Sequence, residues 1–349
     1  MHRFLALASV VALALPGCSG AHTLPSEDAG APSGDADAPV PRACRLASPA
    51  PAPAFAGQGC YCDGPFVVRG TLAYRQSYEL EVIDVSVPGA PRLVTSVPQQ
   101  AVFSTDVDVV GEVLFASGGV LERFDLADPI APVSLGVTDV GGHVEAMATL
   151  GSRMVVSITR EDRSHAIVPI DVTDPRRPVL GTPVELGTLG AGSVAMRGTI
   201  ALAAALDTSV ASGPARLVAI DVADVRAARV VGTLETTSSF LSSVAVHDQR
   251  LFVGGIETGV RAFDVSDPAA MRDLGIVVPS TPGQQAVTIS GDVLVVSGQG
   301  LGLYDLSAPG LPFLGRTDPT SDSPHAQLAG AQLLGSGGNN LFSVPLTCD

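Results

Sequence analysis

The stretch VRAFDVSDPAAMRDLG, residues 260–275, reads as a β-rich run, an aspartate, a proline turn and the start of a second β-rich run. The same order recurs at LEVIDVSVPGAPRLVTS (80–96) and LGLYDLSAPGLPFLGRT (301–317). Aligned on the aspartate, it occurs six times, at Asp84, Asp125, Asp171, Asp221, Asp264 and Asp305, with spacings of 41, 46, 50, 43 and 41 residues. Four of the six turns follow the form VPGAP, DPIAP, DPRRP or APGLP; Asp264 keeps one proline and Asp221 none. An aspartate closing a strand accepts the N–H groups of the turn behind it, so a residue used once per unit reads as scaffold and not as catalyst.

Upstream of each aspartate lies a hairpin signal such as Gly111-Glu112, Gly198-Thr199 or Gly291-Asp292, then an apolar run such as VLFAS, IALAAA or VLVVS. Each unit is thus four short strands in 40–45 residues, the period of a propeller blade, and capped helical periods are absent. The last unit has Ser343 in place of the aspartate and supplies three strands. LASPAPAPAFAG (46–57) resembles LSAPGLPFLG (306–315) and is expected to provide the fourth. The expectation is an all-β, seven-bladed β-propeller over 44–349, with the N-terminal segment completing the last blade and leaving no free edge there.

The first residues read as a targeting segment. His2 and Arg3 precede an apolar run from Phe4 to Leu15, too short to span a bilayer and suited to a signal-peptide core. It ends in LPGCSG, which resembles the lipobox of bacterial lipoproteins, with Cys18 as the lipidated residue. Residues 1–17 are therefore expected to be a signal peptide and 18–43 a disordered tether, rich in Ala, Gly, Pro, Ser and Asp. The strand cores LEVIDV and LVAIDV resemble the LVIVD-repeat family over most of the chain from about Leu46. The resemblance implies a bacterial surface propeller without an assigned activity. WD40 and Kelch repeats fit less well, since the chain has no tryptophan.

Four cysteines remain beyond the lipobox, Cys44, Cys60, Cys62 and Cys348, in keeping with an oxidising compartment. Cys44 and Cys348 flank the expected closure, which favours a disulfide between them; Cys60 and Cys62 would be left to each other, as a strained disulfide, a dithiol or a weak metal pair.

A formal charge of −15 argues against nucleic acid or an anionic membrane face as partner. All 20 basic residues are arginines, which excludes Schiff-base and P-loop lysine chemistry. No GxSxG, HExxH or CxxC motif and no phosphate-binding glycine loop occurs, so no cofactor, no metal and no catalytic residue is expected.

Function is expected where the repeat is broken, on the face where chain passes from blade to blade. Asp106, His143, Ser242, Gln284, Gln285 and His325 are the candidate ligand-binding residues there, beside long second hairpins TREDRSH and DTSVASGP in blades three and four. His165 reads as a loop cap and His247 as a surface residue of the opposite face. The expected function is a non-catalytic, lipid-anchored binding or scaffolding module of the cell envelope, at the outer membrane, with a protein or small ligand at the channel mouth. The alternative is a propeller hydrolase or lyase using His143, His325 and Asp106.

Overall fold

The computed structural model describes residues 44–46, 55–56, 64–101, 105–210, 213–236, 243–255, 258–280, 286–298, 300–317, 325–337 and 340–348. Seven antiparallel sheets form seven blades. Blade 1 comprises Phe66–Arg69, Leu72–Gln76, Glu79–Asp84 and Arg92–Pro98, and blade 2 Asp106–Val110, Val113–Gly118, Val120–Asp125 and Val133–Thr138. In blade 3, His143–Leu150, Arg153–Thr159 and His165–Asp171 are followed by an outer strand broken into Val179–Leu180 and Val184–Gly187. Blade 4 comprises Leu189–Arg197, Ile200–Asp207, Arg216–Asp221 and Arg229–Glu235. Blade 5 comprises Ser243–His247, Arg250–Gly255, Gly259–Asp264 and Arg272–Val278, and blade 6 Val287–Ser290, Val293–Val296, Gly302–Asp305 and Phe313–Arg316. One 3₁₀ turn, Pro268–Ala270, is the only helical element among the described residues.

Blade 7 takes His325–Ala329, Gln332–Gly337 and Asn340–Cys348 from one end of the chain and its outer edge from the other. Cys44–Leu46 pairs with Leu346–Cys348, and Phe55–Ala56 pairs with Asn340 and Leu341. The clasp is therefore two short pieces with eight residues between them, where a single strand stands in most other blades. First strands of successive blades touch one another, and blade 7 touches blade 1, which closes a ring of seven.

Each blade boundary holds an apolar cluster drawn from two neighbouring sheets, for example Phe115, Leu121, Met147, Val156 and Ile170 between blades 2 and 3. Burial of both sheet faces explains why the strands read as near-continuous apolar runs instead of alternating ones. The hairpin between first and second strands turns in every blade through a residue with positive φ. Gly70, Gly111, Gly151, Gly198, Gly291 and Gly330 occupy it at 55° to 61°, and Asp248 occupies it in blade 5 at 52°. Glycine takes this conformation without a Cβ penalty, which accounts for the hairpin signal in the sequence.

The six repeated aspartates lie on the same face as these hairpins. Each Oδ1 accepts the N–H two residues on, from Ser86, Ala127, Thr173, Ala223, Ser266 and Ser307, at 2.8–3.0 Å. The geometry survives at Asp221 without a proline. In four blades a second aspartate repeats the motif three residues later: Asp128, Asp174, Asp224 and Asp267 accept from Ile130, Arg176, Arg226 and Ala269.

Candidate functional site: the channel mouth and the rim of blades 3 and 4

The opposite face carries the passages between blades. Counting five residues back from the left-handed turn residue gives one equivalent position per first strand: Pro65, Asp106, Ala146, Ser193, Ser243, Ala286 and His325. At three of the four polar positions the side chain reaches the first strand of the following blade. Ser193 Oγ accepts the Val244 N–H at 3.0 Å, and Ser243 Oγ accepts the Val287 N–H at 2.7 Å. The Asp106 carboxylate accepts the Met147 N–H in the same relation, and also the Val107 N–H at 3.0 Å. Three inter-blade seams are thus joined by one device.

A second position, two residues further along, repeats the theme. Gln327 Oε1 accepts the Val68 N–H of blade 1 at 3.1 Å, and Asp108 accepts the Thr149 hydroxyl of blade 3. Burial pushes the Asp106 carboxyl well above the usual carboxylate range, with neighbouring Asp108 adding to it. Burial likewise pushes Asp108 up to about 6, against the hydrogen bond from Thr149.

The four buried charged residues of the described chain, Arg75, Glu81, Asp106 and Glu122, all belong to blades 1 and 2. Arg75 Nε donates to Glu81 Oε2 at 2.8 Å. Glu122 Oε2 accepts the Gln100 and Ala101 N–H groups at 2.5 and 3.3 Å, fixing the passage from blade 1 to blade 2. These groups answer backbone and side-chain partners inside the wall.

Among the described residues, blades 3 and 4 have the longest first strands. Their first strands are 8 and 9 residues long, against 4 or 5 in the other blades. Because the turns at the far face are in register, the extra length lies on the mouth side. His143, Thr159, His165 and Gly187 face one another in a row across the strands of blade 3. A register shift between Val144 and Ala146 places Glu145 at a bulge, a device that re-aims a side chain. Glu145 Oε1 lies 3.5 Å from His143 Nδ1. Thr159 Oγ1 is 2.9 Å from His165 Nδ1, and His165 Nε2 is 3.2 Å from Thr208 Oγ1 of blade 4. The bond to Glu145 raises the His143 imidazole above its ordinary value, while burial lowers His165. Above this row, Arg160 holds Glu185 through a two-pronged contact at 2.6 and 2.8 Å.

The sequence-nominated residues therefore divide. His143 sits on the rim, half-exposed. Asp106 and His325 take equivalent positions of blades 2 and 7, with blade 1 between them. Both side chains are buried. Ser242, Gln284, Gln285, Cys18, Cys60 and Cys62 lie outside the described residues. His165 is not a loop cap: its ring spans the seam between blades 3 and 4. His247 is on the opposite face, with Nε2 3.1 Å from Asp292 Oδ1. Glu145, Thr159 and Thr208 carry no sequence motif: the bulge brings Glu145 to His143, strand register brings Thr159 to His165, and the seam between blades brings Thr208.

The opposite face is joined by arginines. Arg153 donates to the Ala223 carbonyl, Arg197 to those of Asp248 and Val265, and Arg250 to that of Leu306, each in the following blade. Arg176 grips Asp125 of the preceding blade with two bonds, at 2.6 and 2.5 Å. The planar fork of arginine suits such carbonyl and carboxylate contacts.

No known protein family and no curated protein matches the chain. Among solved structures it is similar to the computationally designed Ika8 protein, with a TM-score of 0.53 and 11% identity, over 84% of this chain and 98% of that one. At that identity the likeness speaks to fold alone, and fold does not fix function.

Proposed function

We propose that this chain is an exported, lipid-anchored binding propeller of the LVIVD kind, whose recognition surface is the rim of blades 3 and 4. The observation that carries this reading is the contrast within the mouth face. Asp106, Ser193 and Ser243 are committed to inter-blade bonds, so they do not form a set converging on a substrate. The rim offers instead a surface that carries Arg160, Glu161, Asp162 and Arg163. Anchoring through Cys18 and the tether 18–43 would hold this surface away from the membrane, at the outer membrane of a bacterial envelope. A disulfide between Cys44 and Cys348, supported by their pairing in register, would suit that compartment.

The alternative, a propeller hydrolase or lyase at the mouth, has one feature in its favour, the Glu145 carboxylate beside His143. Oriented this way, an imidazole serves as a general base. Its sequence-nominated partners, Asp106 and His325, are buried on other blades.

The test is an affinity capture from detergent-solubilised envelopes, with residues 42–349 as bait. Its control carries His143→Ala, Glu161→Ala and Arg163→Ala, which leave the wall intact. A partner held by the native surface and lost with the control supports the reading. A partner retained by the control places recognition elsewhere, and the absence of any partner turns the search to small ligands by thermal shift.

A further inference from the structure

We propose that the hairpin face carries a small-molecule site at the seam of blades 4 and 5, where Arg197 and Arg250 hold the carboxylate of an amino acid with an apolar side chain. The seam contains a groove of about 600 Å³ lined by Arg197, Asp248, Gln249, Arg250, Asp264 and Leu274. Sites for small molecules span about 300–1,000 Å³, so the groove has room for such a ligand.

The pairing of charges carries the argument. The chain has 35 acidic against 20 basic residues, so no arginine lacks a carboxylate for want of acid. Among the described residues, Arg197 and Arg250 nonetheless meet only carbonyl oxygens. Arg197 Nε and Nη1 donate to those of Asp248 and Val265 at 2.5 and 3.3 Å, and Arg250 Nη2 donates to that of Leu306 at 3.4 Å. Neither bond neutralises the charge. Of the five N–H groups of a guanidinium, Arg197 spends two and Arg250 one. Both residues are half-buried, where an ion pair is screened less than at a fully exposed site. The two carbonyl bonds also fix the Arg197 fork before a ligand arrives, which lowers the entropy cost of binding.

The two carboxylates of the groove select among anions. Asp264 is committed: Oδ1 accepts the Ser266 N–H at 2.9 Å, and Oδ2 is held by Arg272. Asp248 is open to a ligand, with its side chain 80% exposed and His247 Nδ1 at 3.6 Å as its ion-pair contact among the described residues. Its backbone stands at a φ of 52° where the six other blades use glycine. A side chain kept in the left-handed region, at some cost in strain, points to a use for that side chain. Asp248 supplies the acceptor for an ammonium group, and its charge disfavours a phosphate dianion. Leu274, exposed on the outer strand of blade 5, supplies an apolar contact. The neighbouring seam makes the contrast: its groove of about 280 Å³ sets one arginine, Arg153, against Asp171 and Asp224, a balance that repels anions. The blade 4–5 groove lies on the face opposite the rim, so this site stands independently of the recognition surface proposed above.

The experiment is a calorimetric titration of the purified full-length protein with L-leucine, with 4-methylpentanoate, which lacks the amino group, and with inorganic phosphate. Leucine is expected to bind saturably, and about tenfold more tightly than 4-methylpentanoate. Arg250→Gln should weaken leucine binding by roughly tenfold or more. Asp248→Asn keeps the carbonyl that Arg197 uses and should erase the preference for leucine over 4-methylpentanoate. Leu274→Ser changes an exposed residue, leaves both arginines in place, and should also weaken leucine; it decides the matter where Arg250→Gln does not fold. Absence of saturable leucine binding, tighter binding of phosphate than of leucine, or leucine binding unmoved by these substitutions would each overturn the proposal.

Discussion

Cys44 and Cys348 stand directly opposite each other in the antiparallel pairing that closes blade 7. Directly opposed residues in such a pair have Cα atoms about 4.5–5.5 Å apart, within the span of a disulfide. A non-reducing peptide map of exported protein should show these two cysteines joined. Thiol oxidation by an envelope disulfide carrier supplies the bond, and the two thiol protons and two electrons pass to that carrier. Because it would close a loop of about 300 residues, reduction or Cys348→Ser should lower stability by up to roughly 5 kcal/mol. Linkage of Cys44 to Cys60 or Cys62 would refute the pairing.

The inter-blade bond from Ser243 to the Val287 N–H gives a second expectation. Ser243→Ala leaves a buried N–H without its acceptor and should cost about 1–3 kcal/mol in denaturant unfolding. Capture of a rim partner should be unaffected in the folded fraction. A loss of capture at unchanged stability would move Ser243 from the wall to the binding surface.

Asp108 sets a pH dependence of defined sign. Its folded value is raised to about 6 by burial, so the group favours the folded state while protonated. That contribution is fully present below the unfolded value near 4 and is lost as pH rises through about 6. Asp108→Asn should therefore stabilise the protein at pH 7 by something on the order of 2 kcal/mol, with the advantage vanishing near pH 4. Urea unfolding of both proteins across this range measures the difference. A pH-independent gap would remove the carboxyl as its source.

Two backbone positions are expected to respond in opposite directions. Asp248 adopts a φ of 52° where six other blades use glycine, so Asp248→Gly should raise stability by up to about 1 kcal/mol. Gly232 lies where a Cβ would come within 1.9 Å of the Pro268 carbonyl oxygen of blade 5. Gly232→Ala should destabilise by about 1–3 kcal/mol, because the seam has to open. Thermal melts of the pair provide the comparison.

Much of the fold was legible because it is written several times over. The recurrence of Asp84, Asp125, Asp171, Asp221, Asp264 and Asp305 sets the blade period, and Ser343 with the 46–57 segment points to the closure. Those features are local: an aspartate, a turn and the strands beside it. The site was far less legible, because its bonds run between blades. Nothing near Asp106 in the sequence says that its carboxylate meets the Met147 N–H, and nothing near Glu145 announces a bulge. Asp106 and His325 look alike as candidates when read singly, and nothing in the sequence says that both are buried at equivalent positions of their blades. The second aspartates, from Asp128 to Asp267, were legible in principle, since they fall three residues after the first in four blades.

The two-ended construction of blade 7 also sets an order of events in time. The segment around Cys44 is synthesised early, yet its partner strand Asn340–Cys348 follows only about 300 residues later. Six blades can pair within themselves as they emerge, whereas the clasp must wait for a contact of the highest sequence separation in the molecule. Ring closure thus comes after the other blades can pair and before the disulfide can form, and until then the outer edge of Asn340–Cys348 is open to pairing with another chain, where aggregation would begin.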